Sequence, residues 1–265
     1  MYDYIIIGAG SAGCVLANRL SEDPKVKVLL LEAGGPDKQK EIHIPLAFSK
    51  LFKTSNDWAY YTEPEAALNN RTLYWPRGKV LGGSSSINAM IYIRGHRADY
   101  DGWRDLGNPG WGYQDVLPFF KKSENQERGA SEYHGAAGPM SVTDLRCVNP
   151  LSEAFIAAGE EAGYRRNQDF NGEEQEGFGF FQVTQSNGKR HSAAAAFLRP
   201  AASRPNLTVR TDAQVFGIYF EGRRAAIVSF QHGGNSAQER AAREIILCAG
   251  AIGSPQLLLL SGVGP

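Results

Sequence analysis

The chain has 265 residues, which is enough to bury a full hydrophobic core in one large domain or two ordinary ones. Lysine plus arginine equals aspartate plus glutamate, at 28 each, so no net charge favours binding to nucleic acid or to an anionic membrane. The 30 glycines and 13 prolines are spread among periodic segments, as is typical of a folded protein with many turns.

The three cysteines, Cys14, Cys147 and Cys248, are far apart, which predicts a reducing compartment rather than a disulfide framework. None of them has the spacing of a metal ligand. No cationic segment precedes the first apolar run, and no apolar stretch approaches about 18 residues, so we expect neither a secretory signal nor a transmembrane helix. These features predict a cytoplasmic protein, with peripheral attachment to the inner membrane as the alternative.

The first predicted elements are a strand, a tight turn and a helix. Residues 4–7 are an apolar run of strand length that ends on the motif G-x-G-x-x-G, residues 8–13, and apolar residues then recur at helical spacing. A second apolar run, residues 26–31, ends on Glu32 and completes a βαβ unit. This order of strand, glycines, helix, strand and acid predicts a dinucleotide site.

Each residue of the motif has a role that other residue types perform poorly. Gly8 allows the tight turn, Gly10 lets the backbone approach a pyrophosphate, and Gly13 lets helix and strand pack closely. The helix start offers unpaired N–H groups and the positive end of a dipole. Glu32 is placed to accept hydrogen bonds from a ribose 2′-OH, and it would repel a 2′-phosphate. The motif does not by itself choose between NAD and FAD.

The middle of the first half holds two further features. Residues 37–75 are rich in aromatic residues without a long period; we interpret them as a loop pinned to the core, with an excursion over a ligand as the alternative. Two glycines, Gly82 and Gly83, then precede three serines at residues 84–86. Such a stretch predicts a second contact with a phosphate or a flavin, or else a flexible linker with a serine N-cap.

From residue 95 to residue 200 the pattern is mixed. Residues 95–125 read as helical pieces broken at residues 107–110, and a clear helix follows with Asn149 as its N-cap and Gly163 as its stop. Residues 165–190 predict loop and short strands of a substrate-side layer. Residues 192–198 predict a short helix ended by Pro200.

The last part of the chain predicts a β-meander over residues 207–211, 215–220 and 225–232. Residues 244–250 are a buried type of strand that ends on glycine, and Ser254 and Pro255 suit the N-cap and first position of the last helix. Because this repeats the opening pattern of strand, small residues and helix, we expect the turns at the head, near residue 83 and near the tail to meet around one dinucleotide.

Three stretches resemble the glucose–methanol–choline (GMC) oxidoreductase family of flavoenzymes. They are residues 8–13 with 32–34, residues 77–88, and residues 250–264. The resemblance covers the whole chain and is closest to the bacterial branch of choline dehydrogenases and alcohol dehydrogenases. It implies an α/β fold with a Rossmann-like FAD-binding domain of parallel sheet plus β-meander, at residues 1–100 and 200–265. Residues 101–199 would be part of a second, substrate-side α+β region.

The resemblance further implies a site for non-covalent FAD, because Ile87 stands where some family oxidases carry the histidine that attaches the flavin. Val215 matches the family position whose backbone meets the adenine. The implied cofactor-binding residues are Gly8, Gly10, Ser11, Ala12, Gly13, Glu32, Ala33, Val80, Gly83, Ser84, Asn88, Ala89, Ile91, Val215, Ala249 and Gly250.

No catalytic residue is nominated. The family uses a histidine base in its C-terminal half, and we expect that half to be missing because the chain stops just past an apolar helix and its glycine. The chain's own histidines match no motif for that role, so we interpret each as a surface or satisfied core residue: His43, His96, His134, His191 and His232.

The resemblance implies oxidation of a primary alcohol, choline-like, aliphatic or aromatic, to the aldehyde, with hydride transfer to the flavin and a quinone-like acceptor. Three alternatives stay open. The protein could be an oxidase that uses oxygen directly, a non-catalytic FAD-binding fragment, or a nicotinamide dehydrogenase. The glycine and serine stretch near residue 83 and its distant strand-to-helix partner argue against the last.

Overall fold

All residues, Met1–Pro265, are described by a computed structural model, in which the chain forms two units interleaved in sequence. The first unit contains Met1–Ala89 and Ser192–Pro265, and the second contains Met90–His191. The boundaries predicted from the sequence lie after residues 100 and 199. The assignment of cofactor binding to the first unit and of substrate contact to the second stays a prediction.

The α-helices of nine residues or more are, in chain order, α1 (Ser11–Leu20), α2 (Arg97–Asp105), α3 (Tyr113–Ser123), α4 (Pro150–Glu161) and α5 (Gly250–Leu260). None of the helices combines the length and the apolar character needed to cross a membrane. The first unit also contains short helices: α-helical Lys40–His43 and Arg199–Ala201, 3-10 Pro45–Leu51, Ala66–Leu68 and Gly83–Ser86, and π-helical Ala194–Leu198.

A six-stranded sheet forms the centre of the first unit. Its strands are β1 (Tyr2–Ile7), β2 (Val28–Leu31), β3 (Leu207–Arg210), β4 (Ala213–Glu221), β5 (Arg224–His232) and β6 (Asn235–Leu247), in the spatial order β3-β2-β1-β6-β5-β4. The β3-β2-β1-β6 side is parallel and the β6-β5-β4 side is antiparallel. The sheet is therefore a parallel α/β core continued by a meander, as predicted.

Strand β2 and the second half of β1 are continuous apolar runs, as is typical of parallel strands covered on both faces. All four residues of β2 are buried, as are the last three of β1. The core against this sheet includes Ile5, Leu29, Phe230 and Leu257. Strand β6 is long enough to pair with β5 through its first half and with β1 through its second half. It thereby joins the meander to the parallel strands.

The parallel register places the ends of three strands side by side. Ile7 of β1 pairs with Leu31 of β2 on one side and with Leu247 of β6 on the other. The residues that follow these strands therefore start at one edge of the sheet. Ligands of open α/β sheets bind at this carboxyl edge.

The predicted meander is wrong in its first strand. Residues 207–211 were expected to begin it, but β3 pairs in parallel with β2 at the sheet edge, and the meander consists of β4, β5 and β6. Alternating apolar residues predict a strand but not its partner. The contact that pairs β3 with β2 is distant in sequence: the Val28 N–H donates to the backbone oxygen of Asn206 at 2.9 Å.

Two predicted proline positions are also wrong. Helix α5 begins at Gly250 rather than at Ser254, so Pro255 lies inside it, and Pro200 lies within the helical turn Arg199–Ala201 instead of ending the preceding helix. Gly250 has a φ of +81°, which lets the chain leave β6 and enter a helix at once. Pro200 follows directly on the π-helical Ala194–Leu198, whose backbone hydrogen bonds do not follow the α-helical pattern that proline interrupts.

The second unit packs α2 against α3 through Tyr100, Tyr113 and Leu117. Helix α2 ends at Asp105 and α3 begins at Tyr113, which confirms the predicted break. The Asn149 side chain accepts the Leu151 N–H at 2.9 Å, which confirms it as the N-cap of α4. Short strand pairs complete this unit: Ile91–Tyr92 with Gln182–Val183, Glu124–Gln126 with Met140–Val142, and Gln185–Ser186 with Lys189–Arg190.

In the first unit, residues 37–75 are attached to the core, in line with the preferred interpretation. Ile42 and Leu51 form a buried cluster with Val80 and Ile87. A short antiparallel pair, Tyr60–Tyr61 with Tyr74–Trp75, closes the rest of the segment.

Two leucines allow a matched test of the core. Leu29 in β2 is 0% exposed and Leu46 is 93% exposed. We expect Leu29→Ala to lower the free energy of unfolding by about 2–5 kcal/mol, because it removes buried methyl groups and leaves a cavity. Leu46→Ala should change it by less than about 0.5 kcal/mol. Denaturant titration followed by circular dichroism measures both, and equal losses would show that the sheet core is misplaced.

Candidate functional site

The glycine motif forms the turn between β1 and α1. Gly8 has a φ of +99°, and its N–H donates to the Leu31 oxygen at 2.8 Å. A Cβ at Gly8 would lie 2.5 Å from the Cys248 oxygen, and a Cβ at Gly13 would lie 1.9 Å from the Gly8 oxygen. Neither position accepts a side chain, so the turn and the helix packing require these two glycines.

Gly10 is different, because the space beside it is open. It is the N-cap of α1 and provides no side-chain cap, and a Cβ there would meet only the Cys248 oxygen at 4.0 Å. The next two residues, Ser11 and Ala12, are exposed, and amides in a first helical turn have no helical acceptor. No acidic residue lies in this first turn. The end of α1 can therefore bind an anion through backbone N–H groups.

Glu32 follows β2 and is buried beside this turn. One carboxylate oxygen accepts the Ala9 N–H at 2.8 Å, and the other accepts the Gly34 N–H at 2.9 Å. Burial raises the pKa of Glu32 to about 7, although these two hydrogen bonds and Lys79 lower it in part. Each oxygen keeps a lone pair, so the carboxyl can still accept a hydrogen bond from a hydroxyl group. Ala33 follows it and is half-buried.

The second predicted turn lies directly against the first. The Gly82 N–H donates to the Ala9 oxygen at 2.7 Å, and a Cβ at Gly83 would lie 2.7 Å from the Gly10 Cα. Both Gly82 and Gly83 have positive φ. The stretch is a 3-10 turn packed on the glycine motif, and the flexible-linker alternative does not describe it.

The three serines of this turn have different partners. Ser85 and Ser86 donate their hydroxyls to the oxygens of Gly82 and Leu81, both at 2.6 Å, which closes the turn. The Ser84 hydroxyl oxygen accepts the Gly78 N–H at 3.1 Å. Ser84 is exposed, as are Asn88 and Ala89 just beyond the turn. These exposed residues are the ones that a bound molecule could reach.

The third predicted turn follows β6. The Cys248 N–H donates to the Ile7 oxygen at 2.7 Å, and the Cys248 oxygen faces Gly8 as described above. Ala249 and Gly250 are exposed, and nothing lies within 4 Å of a Cβ built on Gly250. The turns at the head, near residue 83 and near the tail therefore meet in one cradle, which we define as residues 8–13, 32–34, 82–84 and 248–250.

Three predicted residues stand apart from this cradle. Val80 is fully buried in the cluster with Ile42 and Leu51. Val215 lies in β4 and packs against the sheet core. It follows Ala213 by two residues, and the Ala213 N–H donates to the backbone oxygen of Glu32 at 2.8 Å. Ile91 belongs to the second unit. Contact of any of the sixteen predicted residues with a cofactor stays a prediction.

Two glycines in the stretches that carry the family resemblance, Gly34 and Gly78, support the cradle through packing that was not predicted for them. A Cβ at Gly34 would lie 1.9 Å from the Lys79 oxygen, and one at Gly78 would lie 2.2 Å from the Gly83 carbonyl carbon. Residues 34 and 35 run beside residues 79–81, where the Leu81 N–H donates to the Gly35 oxygen at 3.0 Å. Gly34 is required by a neighbour more than forty residues away, whereas Gly78 is required by Gly83, which lies in the next turn of the chain.

Each histidine either has a structural partner or is exposed, which agrees with its interpretation. His43 contacts the Asp37 oxygen, His96 caps α2, His191 accepts the Ser141 N–H, and His232 is exposed. His134 is the most enclosed, with Nδ1 3.0 Å from Glu124 and Nε2 2.8 Å from Asp169.

The two carboxylates determine the charge of His134. Burial lowers the pKa of His134, but the hydrogen bonds to Asp169 and Glu124 outweigh it and raise the pKa to about 9. Arg94 also binds Glu124, at 2.9 Å. A histidine that is held protonated by two carboxylates suits a structural role rather than that of a base.

A family model described as GMC oxidoreductase matches residues 2–265. The chain belongs to the GMC oxidoreductase family. It is 52% identical over 268 residues to an alcohol dehydrogenase (acceptor) of Pseudomonas putida, covering 100% of this chain and 49% of that protein. It is 49% identical over 271 residues to the mitochondrial choline dehydrogenase of Homo sapiens, covering 99% of this chain and 46% of that protein. The chain thus spans about half the length of the curated relatives it matches.

Solved structures agree with this assignment. Pyridoxine 4-oxidase from Mesorbium loti superposes with a TM-score of 0.96 at 39% identity, covering 100% of this chain and 52% of that chain. An FAD-dependent oxidoreductase from Chaetomium thermophilum gives a TM-score of 0.93 at 35% identity, covering 100% and 48%. The predicted family and Rossmann-like fold are confirmed, and FAD is the cofactor that the matches support.

Close backbone approach at the cradle can be tested with two glycines of similar conformation. Gly83 and Gly222 have φ values of +53° and +61°, but only Gly83 faces another backbone; nothing lies within 4 Å of a Cβ at Gly222. Alanine at either position should cost about 1–2 kcal/mol for the left-handed conformation. Only Gly83→Ala should also displace Gly10 and abolish flavin retention, measured as the flavin-to-protein ratio after gel filtration. Equal retention by both variants would contradict the contact.

The raised pKa of Glu32 predicts a pH dependence of stability in the flavin-free protein. At pH values below about 4.5 the carboxyl is neutral in both folded and unfolded states, whereas between about 4.5 and 7 only the unfolded state ionises. The wild type should therefore lose stability relative to Glu32→Gln across this window, by up to about 3 kcal/mol. Urea titrations from pH 4 to pH 8 measure it, and parallel curves would show that Glu32 is not desolvated.

Proposed function

We propose that this chain forms the FAD-binding part of an oxidoreductase that oxidises a primary alcohol to its aldehyde. The observation that carries the proposal is the convergence of three turns, from parts of the chain far apart in sequence, into one cradle that contains the uncapped N-terminus of α1. Membership of the GMC oxidoreductase family supports the same conclusion.

The cradle suits the parts of a dinucleotide. The open end of α1 beside Gly10 would hold the pyrophosphate, and the Glu32 carboxyl would accept a hydrogen bond from the ribose. The exposed residues Ser84 and Asn88 would lie along the remainder of the cofactor. The rise in the pKa of Glu32 also limits negative charge next to a diphosphate, which favours binding.

The attachment would be non-covalent. Ile87 is 2% exposed and packs in the cluster around Val80, so it offers neither a nucleophile nor a surface to the cofactor. When bound, FAD supplies the acceptor for the hydride that leaves the alcohol carbon. The cradle residues bind and orient the cofactor and exclude water from it. The hydroxyl proton must go to a base, and we assign that role to no residue of this chain.

We infer a small alcohol as the substrate, choline-like, aliphatic or aromatic, because the relatives at 52% and 49% identity are named for alcohol and choline. A quinone-like compound is the proposed electron acceptor, in keeping with the acceptor-dependent relative. Direct use of oxygen is the second candidate, favoured by the likeness to pyridoxine 4-oxidase. A cytoplasmic location, free or peripheral at the inner membrane, stays a prediction.

Flavin spectroscopy tests the proposal in the full-length protein. We expect a yellow protein whose flavin absorbance bleaches on anaerobic addition of a primary alcohol, with choline, 1-octanol and benzyl alcohol as the panel. Absence of flavin absorbance would contradict the proposal. Reduction of a substrate by NADH in protein that holds no flavin would also contradict it.

Reoxidation separates the two acceptor candidates. After bleaching, the dehydrogenase predicts rapid recovery of the absorbance with a quinone analogue and slow recovery with oxygen. The oxidase predicts rapid recovery with oxygen and one hydrogen peroxide for each aldehyde formed.

A further inference from the structure

Asp57 lies outside the cradle and is buried, and its carboxylate accepts hydrogen bonds from four donors. Oδ1 accepts the N–H groups of Ala59 at 3.0 Å and Arg77 at 2.9 Å. Oδ2 accepts the Lys53 N–H at 2.8 Å and the Tyr74 hydroxyl. Both oxygens are therefore fully used, and one side chain joins three separate parts of the segment between residues 53 and 77.

Two residues around Asp57 have an unfavourable backbone conformation. Lys53 and Ala59 have φ values of +58° and +49°, which are unfavourable for residues with a Cβ. The N–H groups of these same two residues are bound to Asp57. Burial raises the pKa of the Asp57 carboxyl, but the hydrogen bonds from Tyr74 and the backbone outweigh it and lower the pKa. The side chain thus stays charged while it holds the strained backbone.

Through Arg77, the carboxylate also holds the segment that leads into the cradle. The Trp58 N–H donates to the backbone oxygen of Arg77 at 2.8 Å, and the Lys79 N–H donates to the backbone oxygen of Asn56 at 2.8 Å. Residues 77–79 are therefore paired with residues 56–58, at the position that Asp57 fixes.

Residues 77–79 in turn contact the glycine and serine turn. The Gly78 N–H donates to the Ser84 hydroxyl oxygen at 3.1 Å. The space beside Gly78 is filled by the carbonyl group of Gly83, 2.2 Å from a built Cβ, and Gly83 lies against Gly10. A displacement of residues 77–79 cannot be absorbed at Gly78, because no void separates it from Gly83. It would change the spacing between the second turn and the glycine motif.

We propose that Asp57 is a positioning residue for the cofactor: its carboxylate fixes residues 77–79, and through them the placement of Gly83 and Ser84 against Gly10. The inference rests on the proposed FAD binding of the cradle. It predicts that removing this carboxylate weakens FAD binding more than an equally destabilising substitution elsewhere in the first unit does.

Asn206 provides the matched control. Its Nδ2 donates to the backbone oxygens of Ser21 at 3.1 Å, Asp23 at 2.9 Å and Val26 at 2.8 Å. Like Asp57, it is one side chain that joins several backbone groups in the first unit. However, it lies at the amino ends of β2 and β3, away from the carboxyl edge where the cradle is built. Its loss should destabilise the unit without changing the cradle.

The experiment compares Asp57→Asn with Asn206→Ala in the flavin-loaded full-length protein. FAD is removed and titrated back at a temperature well below the melting temperature of both variants, with affinity read from flavin fluorescence. We expect Asp57→Asn to raise the FAD dissociation constant about tenfold, equivalent to about 1.4 kcal/mol. Asn206→Ala should lower the melting temperature and leave the dissociation constant within about twofold of wild type.

Tyr74→Phe keeps the test decisive if Asp57→Asn does not fold. It removes one of the four hydrogen bonds to Asp57 and leaves the backbone donors in place. We expect a rise of about threefold in the dissociation constant and a faster release of FAD. Wild-type affinity in Tyr74→Phe and in any folded Asp57→Asn, or an equal loss in Asn206→Ala, would overturn the inference. Wild-type protein that fails to bind FAD would overturn the proposed function itself.

Discussion

Backbone packed directly against backbone is the constraint on which the site depends. The glycine motif, the turn at Gly83 and the turn after β6 approach one another so closely that a single methyl group on Gly8, Gly13 or Gly83 would overlap a neighbouring main chain. The consequence is a cradle with few side chains at its surface, where the first N–H groups of α1 have no side-chain cap. Such a surface suits a phosphate-bearing ligand, because N–H groups can reach the oxygens without an intervening side chain.

This constraint is met by residues that are distant in sequence. The first unit is assembled from residues 1–89 and 192–265, so the cradle forms only when both segments have entered the same sheet. The parallel register of β1, β2 and β6 then brings the three strand ends together. Around this edge, Gly34 and Gly78 allow two more segments to lie against the turns. Support for the cradle thus extends well beyond the residues that a ligand would touch.

Buried charge at Glu32 in the first unit and around His134 in the second unit is stabilised in opposite ways. In the first, Glu32 has backbone N–H groups but no cation in direct contact, so burial dominates and raises its pKa to about 7. In the second, Arg94, Glu124, His134 and Asp169 alternate in charge, and hydrogen bonds keep the imidazolium charged with a raised pKa. A carboxyl close to neutrality suits a site for a diphosphate. A fully paired network suits a structural core, since breaking it would leave a charge buried without a partner.

The sequence by itself determined the local parts of this protein. The strand, turn and helix over residues 2–20, the N-cap at Asn149, the break between α2 and α3 and the family were all readable, because each depends on residue types a few positions apart. Only the tertiary structure decided that β3 joins the parallel edge rather than the meander, and that Gly34 and Asp57 support the cradle. The physical reason is that these features depend on which distant backbone lies next to a residue, and residue type and local spacing carry no information about that neighbour.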